Sequence, residues 1–220
     1  NQIILLYESP DGESGFPGNL RFSVTYSLSE DNELSIEYKA ISDQATPFNP
    51  TSHAYFNLSG KRGNILDHEL KINAGHYLET NDEFIPTGKI KPLSDPAFNF
   101  EDYRKISGRM PLKKEVLAGY NTYFIGLLSD EKLHLLASLR APLSGRCLDV
   151  YSTQPGIQVY TGDYLSIPFQ AFAGIALEAQ GYPDSPNHAH FPSTILSPGK
   201  ETKQVIRYKI RSCPIMFGEL

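Results

Sequence analysis

Two neighbouring stretches near the N-terminus alternate apolar and polar side chains, and this pattern constrains the fold more than any other feature. RFSVTYSL (21–28) places Phe22, Val24 and Tyr26 on one face, and ELSIEYKA (33–40) repeats the alternation. The intervening SEDN supplies residues that favour turns. Because successive side chains of a strand point to opposite faces, the two stretches predict an antiparallel hairpin with one buried face.

Short apolar or alternating stretches recur along the rest of the chain, and Gly, Pro, Asn or Asp separates most of them. They are HELKI (68–72), TYFIGLL (122–128), KLHLLASL (132–139), RCLDVYS (146–152), GIQVYT (156–161), GIALEAQ (174–180) and KQVIRYKI (203–210). We expect short helical turns only in NFEDYRKI (99–106) and in PLKKEVLAGY, ending at Gly119. The sequence therefore predicts an all-β, antiparallel fold with one domain over residues 1–220.

Composition excludes several classes of function. The net charge of -5, without a block of like charges, predicts neither a nucleic-acid nor an acidic-membrane partner. No run of 18 apolar residues and no secretion signal is recognisable, so we expect a cytoplasmic protein, although a secreted protein whose signal has been removed would show the same features. The spacing of Cys147 and Cys213 suggests neither a disulfide framework nor a metal site. Asp184, His188 and His190 could suggest a metal, but histidines in a Pro-rich loop are more often solvated, so no metal is expected.

The stretch TSHAYFNLSG (51–60) raises the first question of function. As a strand it would place His53, Tyr55 and Asn57 on one face and apolar side chains on the other. Such a face is either the wall of a polar cleft or an ordinary solvated surface, and the pattern alone favours the solvated surface.

Two later stretches pose the same alternatives. In GIALEAQ, Glu178 shares a face with Gly174 and Ala176, and small neighbours would leave room for a ligand and for partial exclusion of water. In GIQVYT, Gln158 and Tyr160 share a face, and an amide both donates and accepts hydrogen bonds, as sugar hydroxyls require. Both could equally be solvated strand faces.

Five blocks in order narrow these alternatives. They are SPDGESGFPGNL, NPTSHAYFNLSG, DHELKINAGHYLETNDEFIPTGKI, STQPGIQVYTGDYL and LEAQGYPDSPNHAHFPSTILSPG. From about Ser9 to Ile210 the chain closely resembles the aldose 1-epimerases, also called galactose mutarotases. The resemblance implies an antiparallel β-supersandwich, a monomer or homodimer, and no metal or organic cofactor. It also implies interconversion of the α and β anomers of a small free aldohexose, such as galactose or glucose.

The resemblance also implies roles for individual residues. His53 resembles the general acid that protonates the sugar ring oxygen, and Glu178 the general base at the C1 hydroxyl. An imidazole ordinarily has a pKa near neutrality, and a carboxyl group reaches that range by partial burial. Gln158 resembles the glutamine that contacts sugar hydroxyls. Asn121, in GYNTYFIG, stands where the family usually has an aspartate that binds the sugar, so we expect weaker binding or a changed preference.

A second departure concerns the N-terminus. Members of the family carry an additional N-terminal portion, with several strands and with an arginine and a histidine of the sugar site, and Asn1 lies just before the first shared block. Either the sequence is a fragment of a longer protein or it is a degenerate short form. Missing strands would leave open apolar sheet edges, which favours the fragment. We therefore expect 1–220 to be the C-terminal part of the family's domain, and the missing N-terminal segment of its own protein to be a partner.

Two other functions fit the same resemblance. A sugar-binding module without efficient catalysis would account for Asn121 and for the missing N-terminal groups. A hexose-6-phosphate 1-epimerase would need cationic groups for the phosphate, and no arginine cluster adjoins the His53 or Glu178 block in the sequence.

Overall fold

The computed structural model describes residues 1–60, 62–108, 110, 112–113, 116–127, 130 and 132–214. Its strands are β1 (Gln2–Ser9), β2 (Leu20–Leu28), β3 (Glu33–Ser42), β4 (Thr46–Pro47), β5 (Tyr55–Phe56), β6 (Glu69–Ile72), β7 (Ala74–Thr80), β8 (Pro86–Pro92), β9 (Arg104–Lys105), β10 (Leu112–Lys113), β11 (Val116–Leu117), β12 (Asn121–Gly126), β13 (His134–Ala141), β14 (Arg146–Ser152), β15 (Gly156–Tyr160), β16 (Ile175–Gln180), β17 (Ile195–Leu196) and β18 (Thr202–Ser212). Short 3₁₀ turns form at Glu13–Gly15, Ile106–Gly108 and Ser185–Asn187.

Two antiparallel sheets contain most of these strands. The first has eight strands in the order β1-β2-β3-β18-β14-β13-β6-β9, and the second has six in the order β5-β16-β15-β12-β7-β8. Two small pairs, β10-β11 and β17-β4, complete the described strands. The predicted all-β, antiparallel architecture is confirmed.

The main core lies between the two sheets. The inward faces of both sheets supply its buried side chains, including Ile36, Leu148 and Tyr208 from the eight-stranded sheet and Val159 and Leu177 from the six-stranded sheet. Burying a side chain of this size stabilises the fold by about 1.5–3 kcal/mol. Because Val159 and Leu177 point inward, the residues that alternate with them point out of the six-stranded sheet.

Most strands predicted from alternation are present, including the β2–β3 hairpin, whose register pairs Val24 with Tyr38. The predicted strand 51–60 is confirmed only at Tyr55–Phe56. Strands β1, β4, β7, β8 and β17 were not predicted. In the stretch 99–106 the helical prediction is wrong, because β9 forms there and only a 3₁₀ turn begins at Ile106.

The second helical prediction, in 111–119, is also wrong where the chain is described, because β10 and β11 pair there as strands. Residues 111, 114 and 115 lie outside the described part.

The cysteines correct another expectation. Cys147 in β14 and Cys213 after β18 are joined by a disulfide, although they are 66 positions apart in the sequence, and their Cα atoms lie 6.0 Å apart. Pairing of β14 with β18 places Cys147 opposite Arg211, two residues from Cys213. Sequence spacing could not show this proximity, because it arises from the sheet. No helix in the described part of the chain is long and apolar enough to span a bilayer.

Candidate active site

Strand pairing gathers the candidate site residues on the outward face of the six-stranded sheet. In the β15–β16 pair, Gln158 lies opposite Glu178 and Tyr160 lies opposite Ala176. In the neighbouring β12–β15 pair, Asn121 lies opposite Tyr160. These residues alternate with core residues on their own strands, so they share one face.

His53 reaches Glu178 from the edge of this sheet. The short β5 strand pairs Tyr55 with Ala176, and continuing this antiparallel register by two residues places His53 across from Glu178. The side chains meet there, with His53 Nε2 3.5 Å from Glu178 Oε1. The two residues are 125 positions apart in the sequence, and the fold makes them neighbours.

Burial differs between the two partners. The His53 side chain is 52% exposed, whereas the Glu178 side chain, on the interior strand β16, is 10% exposed. Burial raises the pKa of the Glu178 carboxyl, and the nearby His53 imidazole acts in the opposite direction. A carboxylate with a raised pKa accepts a proton more readily than an exposed one, which suits a general base.

The small residues beside Glu178 have a different role from the one the sequence suggested. Ala176 is fully buried, and its two cross-strand neighbours are Tyr55 and Tyr160. A Cβ atom on Gly174 would lie 3.0 Å from the Tyr55 Cβ. Gly174 and Ala176 therefore make room for tyrosine rings, and those rings border the open part of the site.

An amide pair lies next to Glu178. Gln158 Nε2 donates a hydrogen bond to Asn121 Oδ1 over 2.6 Å. Both side chains are half-buried. In the described part of the chain, no further partner is recorded for the Asn121 Nδ2 group or for Gln158 Oε1. The pair thus offers the N–H donors of Asn121 Nδ2 and the acceptor Gln158 Oε1 to a ligand.

Aromatic rings bound the site on two sides. The His53 ring centroid lies 5.0 Å from that of Tyr55 and 6.1 Å from that of Tyr160. On the far side of Gln158, Tyr123 packs with Tyr182 in a second buried cluster on the outward face. Alternation along β12 places Tyr123 on the Asn121 face, so sequence reasoning could have found this wall.

Two groups noted in the sequence serve structural ends instead. Asn57 Nδ2 donates to the carbonyls of Gly63 and Ala173, which ties β5 to its neighbouring loops. His188 and His190 hydrogen-bond through Nε2 to the carbonyl oxygens of Pro86 and Gly88 in β8.

His188 Nε2 also lies 3.2 Å from Asp184 Oδ2, so these side chains fasten the loop after β16 to the β7–β8 hairpin. In the residues that the structure describes, no group of three or more His, Cys, Asp or Glu is arranged to hold a metal ion.

Comparison with known proteins places the whole arrangement in a family. The family model described as Aldose 1-epimerase matches residues 1–209. The chain is 41% identical to human galactose mutarotase over 211 residues, which cover 91% of this chain and 60% of that protein. It is 32% identical to aldose 1-epimerase of Escherichia coli K12 over 219 residues, which cover 94% of this chain and 63% of that protein. The chain thus spans less than two thirds of the length of these relatives.

Solved structures agree with this placement. A GalM/aldose epimerase homologue from C. elegans superposes with a TM-score of 0.89 at 26% identity, covering 96% of this chain and 66% of that one. A galactose 1-epimerase from Lactobacillus acidophilus superposes with a TM-score of 0.80, also at 26% identity, covering 96% of this chain and 63% of that one. Sequence and fold therefore agree, and the chain belongs to the aldose 1-epimerase family.

Proposed function

We propose that this protein is an aldose 1-epimerase that interconverts the α and β anomers of a free aldohexose such as galactose or glucose. The observation that carries the proposal is the contact of 3.5 Å between His53 and the mostly buried Glu178 on the outward sheet face. Family membership supports the choice of reaction and the class of substrate.

The geometry suits the chemistry of anomer exchange. Opening a hexose ring requires one proton to reach the ring oxygen while another leaves the C1 hydroxyl. Both oxygens are bonded to C1, so the acid and the base must act within a few ångströms of each other. The His53–Glu178 pair satisfies this requirement.

The reaction then proceeds in two mirrored steps. His53 donates a proton to the ring oxygen, Glu178 takes the proton of the C1 hydroxyl, and the C1–O5 bond breaks to give the aldehyde. After rotation about C1–C2, the C5 hydroxyl attacks the other face of the aldehyde. The C5 hydroxyl gives its proton back to His53, and Glu178 gives its proton to the aldehyde oxygen. Gln158 Oε1 accepts a hydrogen bond from one hydroxyl group of the sugar, and Asn121 Nδ2 donates a hydrogen bond to another.

The decisive experiment is polarimetry of freshly dissolved α-galactose with the intact protein. After subtraction of the buffer-catalysed rate, we expect His53→Ala and Glu178→Gln each to lower the rate of anomer equilibration by about 10²–10⁴-fold. Because the two groups act together, the double variant should lose little more than either single variant.

Two matched controls remove the same chemical groups elsewhere. His76→Ala replaces an exposed histidine of β7, and Glu101→Gln replaces an exposed glutamate of a loop. Both should keep the wild-type rate. If a His53 or Glu178 variant also kept the wild-type rate, the proposed catalytic role of that residue would be wrong.

A further segment of the same protein is the proposed partner of the eight-stranded sheet. Strand β1 is its edge strand, and Ile3, Leu5 and Tyr7 on the core-facing side of that strand are each more than half exposed. An apolar edge strand is normally covered or paired. The longer chains of the relatives supply enough residues for such a cover.

The monomeric or homodimeric state and the cytoplasmic location stay predictions.

A further inference from the structure

Tyr160, the last residue of β15, lies on the outward face between β16 and β12. It lies opposite Ala176 on one side and opposite Asn121 on the other. On its own strand it stands two residues from Gln158, on the same face. A ligand held between the His53–Glu178 pair and the amide pair would therefore pass next to the Tyr160 side chain.

The Tyr160 ring is held in place from two directions. Its centroid lies 6.1 Å from the His53 ring at an interplanar angle of 73°. It also lies 6.1 Å from the Tyr55 ring, at 67°. Edge-to-face packing of this kind restrains the ring.

The hydroxyl group has one partner and one free function. The backbone N–H of Tyr164 donates to Tyr160 Oη over 3.2 Å. That bond occupies a lone pair and leaves the phenolic hydrogen, for which the described residues provide no recorded acceptor. Burial and the charge of Asp163 raise the pKa of Tyr160, while the Tyr164 bond lowers it, so the phenol is protonated at neutral pH and acts as a donor.

We propose that Tyr160 is a substrate-binding and specificity-determining residue that donates its phenolic hydrogen to one hydroxyl oxygen of the bound sugar. The proposal rests on the proposed function only for the position of the sugar over His53 and Glu178. A half-buried donor without a protein acceptor favours a ligand that supplies one, and it discriminates against a ligand that lacks it.

The test pairs Tyr160→Phe with a set of singly deoxygenated sugars. The substitution keeps the ring and removes only the hydroxyl group, and Tyr151→Phe, on the outward face of the opposite sheet, is the matched control. We expect Tyr160→Phe to lower kcat/KM for galactose by about three- to tenfold, the effect of one hydrogen bond. With the one deoxysugar that lacks the partner oxygen, wild type and variant should have equal kcat/KM.

A binding measurement separates this inference from the proposed function. Methyl α-galactoside cannot open its ring, so its dissociation constant, measured by calorimetry, reports contacts without catalysis. A similar three- to tenfold weakening in Tyr160→Phe supports the inference even if wild type does not accelerate mutarotation, a result that would end only the proposed function. Unchanged kcat/KM and affinity in the variant, or an equal loss with every deoxysugar, would overturn the role of Tyr160.

Discussion

A buried histidine below the site predicts how stability depends on pH. His68 is 3% exposed, and its Nε2 atom accepts the backbone N–H of Leu58 over 2.9 Å. Leu58 follows the segment that carries His53, so this bond helps to anchor that segment. Because the accepting nitrogen must be unprotonated and water is excluded, protonation of His68 is unfavourable in the folded protein.

The magnitude follows from the two pKa values. Burial lowers the pKa of His68 from 6.5 to about 4, with Asp67 acting weakly in the opposite direction. The unfolded chain therefore binds a proton between these values and the folded protein does not, so stability rises with pH in this window. His68 contributes its full stabilisation above pH 6.5 and loses about 2 kcal/mol of it by pH 5, and about 3 kcal/mol by pH 4.

Urea unfolding at several pH values between 7.5 and 5 would measure this dependence. Glu178 has a raised pKa and contributes with the opposite sign, so the informative quantity is the difference between wild type and His68→Gln. The glutamine can still accept the Leu58 N–H, but it does not titrate. Between pH 7.5 and pH 5, we expect the free energy of unfolding of wild type to fall by about 2 kcal/mol more than that of His68→Gln. Parallel curves for the two proteins would refute the reasoning.

Two further predictions concern the amide pair and the open sheet edge. Asn121→Asp keeps the acceptor of the Gln158 hydrogen bond and replaces the free Nδ2 donor by a carboxylate oxygen. A charged acceptor binds a sugar hydroxyl more strongly than an amide does, so we expect a several-fold lower dissociation constant for galactose by calorimetry; an unchanged constant would count against a sugar contact at Asn121. Leu5→Lys should barely affect the unfolding free energy of the 220-residue chain, because Leu5 is 55% exposed there. In a longer form whose additional segment covers Leu5, the same substitution should lower the unfolding free energy by about 2 kcal/mol. Equal effects in both forms would count against the proposed covering segment.

Alternation predicted the strands in which one face is core and the other is not. Strand β3 is the clearest case, because its buried residues Ile36, Tyr38 and Ala40 recur at every second position. Strand β1 escaped because its sequence, QIILLYES, is apolar on both faces and lacks that period. Strand β8 begins and ends with proline and is mostly exposed, so neither composition nor pattern indicates a strand.

The failed helical prediction in 99–106 has a physical cause. Phe100 and Ile106 are fully buried, and the carbonyl of Phe100 accepts the N–H of Ile72. The segment is thus fixed by long-range contacts with β6 and with the core. Intrinsic helix propensity is a weak signal, and tertiary contacts of this kind routinely override it.

The candidate site divides in the same way. Alternation placed Gln158 on one strand face with Tyr160, and it placed Glu178 on one strand face with Gly174 and Ala176. Each of these relations is local to a single strand. The 3.5 Å contact of His53 with Glu178 depends on pairing between distant segments, and only the family resemblance suggested it in the sequence. The role of the small residues was misread because Gly174 and Ala176 face tyrosine rings that no local pattern shows.

Position within the sheet explains why the two proposed catalytic groups differ so strongly in exposure. Glu178 lies on β16, which has a neighbouring strand on each side, whereas His53 precedes β5 at the sheet edge. Burial of a base would be costly in a reaction that had to return a proton to solvent in every cycle. In anomer exchange, ring closure returns one proton from the sugar to His53 and the other from Glu178 to the C1 oxygen, so the pair is regenerated without solvent. A shielded carboxylate beside an exposed imidazole is therefore compatible with repeated turnover.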